Sequence, residues 1–154
     1  MKLVRRNDEE VVFHLTRSEK KALLFILERY PVLPLDFQPP SRGDNPGSKI
    51  DQTLLREMLA EQKRQNQEFL RKLFEQKDRF QPVHNGWHFK LLAGEVEWFL
   101  QVLNDVRVGE WHKAGCPDEL SKMPVNSSEA RGHAWAMEIS GFFICSILEL
   151  LNEI

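Results

Sequence analysis

The spacing of apolar and polar residues changes several times along the chain, and each change predicts an element. Lys2 to Arg6 and Glu10 to Leu15 read as short extended segments, with Asn7-Asp8 as the turn between them. The second is the better strand, because Val11, Val12 and Phe13 are β-branched or aromatic. Thr16 then predicts a helix N-cap, and Glu19, three residues on, completes a capping box. Apolar residues at helical spacing follow through RSEKKALLFILERY, and the helix is expected to stop before Pro31. Seven prolines and glycines between residues 31 and 50 predict a loop, ordered where Val32, Leu33, Leu35 and Phe37 can pack.

Asp51 predicts the cap of a long helix running to about Arg79. Leu55, Met58 and Leu59 make one end amphipathic, and Phe69, Leu70, Leu73 and Phe74 the other. Its middle, EQKRQNQE, is polar all round. Solvation is the commoner explanation of such a stretch; the other places Gln62 and Asn66 against a polar interior or a partner. Trp87 to Leu92 predicts a further strand, after a loop holding Pro82 and Asn85-Gly86. Ala93-Gly94 opens a third helix, GEVEWFLQVLNDVRVGEW, and Asn126, Ser127 or Ser128 caps a last one running to the C-terminus.

These elements recur. Phe13, Leu15 and Glu19 align with Phe89, Leu91 and Glu95 at an offset of 76 residues, and the match continues into the helices that follow. The chain therefore reads as strand–helix–loop–helix, twice, in halves 1–80 and 81–154 of a single domain. The expected fold is α+β and mostly helical: four main helices on a small sheet of two or three strands, with a pseudo-two-fold relation between the halves. So small a sheet needs helices on one face to be stable.

Composition narrows the functional classes. The net charge of −2 attracts neither nucleic acid nor an anionic membrane in bulk, and the basic residues at 63–65 and 71–72 are too few beside aromatics for a base-stacking platform. Cys116 and Cys145 fit no disulfide framework or metal spacing, which suits a reducing cytoplasm, and Cys145 reads as a buried small hydrophobe. The N-terminus turns acidic where a secretory signal would turn apolar. The apolar run from Ala134 to Leu151 contains Glu138 and Glu149, so it reads as a buried helix rather than a membrane span. Arg42-Gly43-Asp44, a cell-adhesion triplet elsewhere, is read as coincidence in a cytoplasmic chain.

No P-loop, nucleophile elbow, dinucleotide fingerprint or kinase signature is present, and no cofactor is expected. His84 and His88 have H-x-x-x-H spacing, but Asn85-Gly86 between them argues against a helix, so no metal is expected. The candidate site is a polar cluster of Asn104, Asp105, Arg107 and Glu138. The first three interrupt the apolar face of Val96, Phe99, Leu100, Leu103 and Val106, and Glu138 is nearly alone among apolar residues. A carboxylate there is costly unless paired, so Arg107 and Glu138 are predicted to form an ion pair between the third and fourth helices. Such a pair serves either as a latch in the packing or as part of a polar pocket.

The stretch EWFLQVLNDVRV, Glu97 to Val108, followed by an apolar helix carrying Trp135, Glu138 and Ile139, resembles the bacterial domain-of-unknown-function family 2017. The resemblance is closest over residues 95–150. It implies no established activity; members often lie beside the gene for the adaptor of the Clp protease, which implies at most a loose link to regulated proteolysis. The reading that follows is a non-enzymatic interaction or regulatory module. It is expected to have a protein partner and to form a homodimer through the C-terminal helix, which is apolar nearly all round. The alternative is a small enzyme or ligand-binding protein with a polar pocket on the third and fourth helices. Any functional cluster is expected in the second half, because the first half has Gln62 in place of Glu138 and Glu28-Arg29 in place of Asn104-Asp105.

Overall fold

Two hairpins supply the sheet. β1 (Lys2–Arg6) and β2 (Glu10–Leu15) pair antiparallel, and so do β3 (Phe80–Val83) and β4 (Gly86–Leu92). The two inner strands join them, also antiparallel, giving the order β1-β2-β4-β3. In a computed structural model, the described residues are 1–35, 37, 48–118 and 127–152; the Arg42-Gly43-Asp44 triplet lies outside them.

The sheet has four strands, not two or three. The strand missed by pattern is β3, four residues long with Pro82 inside it. Proline cannot donate to a ladder, but an edge strand tolerates it because one side is unpaired. The register Val83↔Gly86 leaves His84-Asn85 as a two-residue turn. Gly86 follows at φ +149, where a Cβ would stand 2.1 Å from the Leu15 carbonyl oxygen, so no other residue fits.

The helices are α1 (Arg17–Glu28), α2 (Ser48–Glu75), α3 (Val96–Lys113, after a 3₁₀ turn at Ala93–Glu95) and α4 (Ser128–Asn152). Element order is thus hairpin–helix–helix, twice. In the central ladder Phe13 stands opposite Phe89. The Thr16 capping box forms as predicted, and the Ser127 hydroxyl accepts from the Ala130 amide at the start of α4.

One face of the sheet is the floor of the core. Phe13, Leu15, Phe89 and Leu91 are buried there with Ile26 and Leu27 of α1, Phe99, Leu103 and Val106 of α3, and Phe143 and Ile147 of α4. Helices α3 and α4 share the most extensive helix–helix contact. The C-terminal end of α2 contributes Leu70 and Leu73, while Ile50, Leu54 and Met58 at its other end are largely exposed. Beyond α2, the buried Arg79 guanidinium donates from Nη2 to Glu95 Oε1 at 2.8 Å, and Glu95 also accepts from the Leu92 amide. This pair ties the second hairpin to the start of α3.

Two expectations for α4 are corrected. It is not buried all round: Ala136, Ser140, Phe143 and Ile147 form one buried stripe, while Trp135, Phe142 and Leu148 are exposed. Cys145 is also exposed, because it lies two residues past Phe143 and so falls far around the helix from the buried stripe.

Candidate functional site

The helix α3 runs along a single buried stripe: Phe99, Val102, Leu103, Val106 and then Gly109-Glu110. Its outer face carries Asn104, Asp105 and Arg107. Arg107 Nη2 donates to Asn104 Oδ1 at 2.8 Å, along its own helix. The predicted Arg107–Glu138 ion pair does not form: Glu138 is exposed on α4, and the described residues give it no ion pair. Glu138 stands two residues from Ser140 of the buried stripe, about 200° around the helix. In solvent it needs no partner. The four candidate residues are therefore not joined into one cluster among the described residues; Asp105 lines a pocket.

The buried carboxylate of this region is Glu110. It is wholly enclosed and forms charged hydrogen bonds with Arg29 Nε, just after α1, and with His133 Nδ1 in the second turn of α4. Burial alone would raise the Glu110 pKa, but the bonds from Arg29 and His133 outweigh it and hold the carboxyl below its usual range. One carboxylate thus clamps three helices. The helical period shows why pattern missed it: Glu110 is eleven residues after Phe99, a near-integral number of turns, so it continues the core stripe. His133 likewise continues the stripe of Ala136, Ser140, Phe143 and Ile147. A polar residue in phase with a core stripe was the available signal.

Above this clamp lies a hydrogen-bonded chain. Asn66, in the middle of α2, is buried; its Oδ1 accepts from Trp98 Nε1 at 2.9 Å, and its Nδ2 donates to the Tyr30 hydroxyl at 2.9 Å. The indole can only donate, so the amide oxygen must face it and the amide nitrogen must face Tyr30. Gln62 adds a bond to Asn66 Oδ1 from the exposed side, at 3.1 Å. The polar middle of α2 therefore faces a polar interior through Asn66, the rarer of the two readings its sequence allowed. Since Tyr30 receives a proton from Asn66, its own O–H is free to donate to Asp105. Burial above all pushes the Tyr30 hydroxyl up to about 12, with the neighbouring Asp105 charge adding to the rise. Burial also raises the Asp105 carboxyl, against the opposing pull of the Lys63 charge and the Tyr30 hydrogen bond.

Asp105 and Tyr30 open onto a pocket of about 180 Å³. Its walls are Pro31, Val32 and Leu33 from the segment after α1, Leu59 and Lys63 of α2, and Val108, Gly109 and His112 of α3, with Phe37 beside them. Gly109 lets the first wall approach: a Cβ there would stand 2.7 Å from Val32 Cβ. Lys63 Nζ donates to the Pro34 carbonyl at 3.1 Å and forms no ion pair with Asp105 within bonding reach. The pocket thus lies between α2, α3 and residues 30–33 and 37, not between the third and fourth helices as expected.

At the far end of the pocket α3 stops in a Schellman turn. Gly115, at φ +87, donates to the His112 carbonyl at 3.0 Å, and Cys116 donates to the Trp111 carbonyl at 3.0 Å. The turn brings Cys116 Sγ to 3.4 Å from His112 Nδ1. Elsewhere, His14 and His88 meet edge to face across β2 and β4 with ring centroids 5.9 Å apart. Among the described residues no three metal-ligating side chains come together.

Compared with known proteins, the chain matches no family model, no curated protein and no solved structure.

Proposed function

We propose that this protein is a non-enzymatic interaction module that self-associates through the outer face of α4. The observation that carries the reading is the make-up of that face. Trp135 and Phe142, 41% and 44% exposed, lie between the exposed charges Arg131 and Glu149. Arg131 and Glu149 are eighteen residues apart, five full turns, so they share one azimuth with the two aromatics between them. Two copies packed antiparallel on this face set Arg131 of each against Glu149 of the other, at both ends, with the aromatics enclosed. By length and composition α4 could also cross a membrane. Its charges, Glu129, Arg131, Glu138 and Glu149, are all exposed, where lipid would strand them and a second copy would pair Arg131 with Glu149.

The internal duplication belongs to this reading. Its support is the offset of 76 residues between Phe13 and Phe89, which are also directly opposed across the centre of the sheet. So does the kinship to the bacterial family, with its loose link to regulated proteolysis; its support is the Glu97–Val108 stretch with Trp135, Glu138 and Ile139.

Sedimentation equilibrium tests the dimer. The protein is expected to associate, Trp135→Asp to be monomeric, and Arg131→Glu to weaken association until Glu149→Arg is added to the same chain. Glu138→Gln is expected to tighten the dimer, because antiparallel pairing brings the two Glu138 side chains within about 6 Å along the axis. A monomer at high micromolar concentration, or a double charge swap that fails to restore association, rejects this interface.

A further inference from the structure

The pocket beside Asp105 holds an unusual balance of charge. Its interior is apolar, from Pro31, Leu33, Leu59 and Val108, yet it is bordered by one anion, Asp105, and one cation, Lys63. Those two are not joined to each other. A hydrogen-bonded chain runs from Trp98 through Asn66 to Tyr30, which lines the pocket beside Asp105. Lys63 is steadied by the Pro34 carbonyl and lies 6.0 Å from the Phe37 ring centre. A ligand complementary to such a border is apolar in its body and carries one ammonium and one carboxylate. For comparison, an apolar cavity of about 150 Å³ takes a benzene molecule, so about 180 Å³ takes a leucine- or phenylalanine-sized side chain.

The geometry points to a binding site for a free α-amino acid with a large apolar side chain, its ammonium at Asp105, its carboxylate at Lys63 and its side chain against Leu33, Leu59 and Val108. The site is independent of the α4 face. Among the described residues Asp105 makes no ion pair within bonding reach, so the ligand ammonium would meet its carboxylate through charge-assisted hydrogen bonds.

Isothermal titration with L-phenylalanine, phenethylamine and 3-phenylpropionate tests the assignment, since the last two each carry only one of the two charged groups. Phenylalanine is expected to bind about tenfold or more tighter than either. Asp105→Asn should remove that advantage over 3-phenylpropionate, and Lys63→Met the advantage over phenethylamine. Alkylation of Cys116 supplies a second readout. Its sulfur touches the His112 ring at the pocket wall, so bound phenylalanine should slow its reaction with iodoacetamide, while Cys145, exposed on α4, reacts at an unchanged rate. Phenethylamine binding as tightly as phenylalanine, no binding of any of the three at millimolar concentration, or Cys116 and Cys145 slowing equally would each overturn the proposal.

Discussion

Asn66 shows how much one side chain can organise. It satisfies an indole N–H and a phenol oxygen at once, and so leaves the Tyr30 O–H free to donate elsewhere. Asn66→Ala removes the partner of both groups and leaves each at least partly enclosed. The expected cost is about 2 kcal/mol or more in urea unfolding, against about 0.5 kcal/mol or less for Gln62→Ala, whose side chain sits in solvent. Similar losses for the two variants would show that Asn66 is not the hub. Asn66 was named from sequence as one of two residues that could face inward. What the sequence lacked was the reason, because Tyr30 and Trp98 lie 36 and 32 residues away.

At the scale of elements, the approach of the Pro31–Leu33 segment to α3 defines the pocket, and Gly109 permits it. Alanine at 109 would gain about 1 kcal/mol of helix propensity. It would also drive a methyl group to 2.7 Å from Val32 Cβ, a backbone-near atom with no freedom to swing aside, and overpacking of that kind costs about 1–3 kcal/mol. Gly109→Ala is therefore expected to lower the melting temperature and displace the 31–33 segment, seen as altered amide chemical shifts at Val32 and Leu33. Gly132→Ala, with open space around its position, is the control and should not destabilise. The elements themselves were largely legible. The first hairpin, the Thr16 capping box and the helix starting near Ser127 follow from local rules that act within four residues. Strand β3 was not legible, since four residues containing a proline carry no periodicity, and only the pairing with β4 makes them a strand.

For the whole molecule, the Glu110 clamp between the end of α1, α3 and α4 sets a pH limit. A carboxyl held below its usual range contributes stability that is present above the unfolded value, about 4.3, and is lost as pH falls through the folded value. Glu19, lowered by its bonds to the N-terminal amine and Thr16 against the effect of burial, acts in the same direction. Asp105 acts oppositely: its raised pKa means that ionisation in the folded state costs stability as pH rises through its range. Glu110→Gln is expected to cost about 3 kcal/mol at neutral pH, because it leaves Arg29 and His133 beside a buried group that no longer carries charge. Its unfolding free energy should then fall less steeply than that of the wild type below about pH 4.5. Parallel pH profiles for the two proteins would refute the clamp.

The sequence by itself determined the secondary structure of most of the chain and the α+β class, because caps, turns and helical period are local and act on neighbouring residues. It marked Asp105 as notable but grouped it with Arg107 and Glu138. Only the tertiary structure decided that the buried carboxylate is Glu110, that Asn66 points inward, and that Asp105 meets Tyr30 and Lys63 at a pocket. The physical reason is that the energy of a charge depends on what surrounds it. Glu138, conspicuous among apolar neighbours in sequence, faces water on the outer side of α4, while Glu110, inconspicuous between Gly109 and Trp111, lies on the stripe that three helices close over.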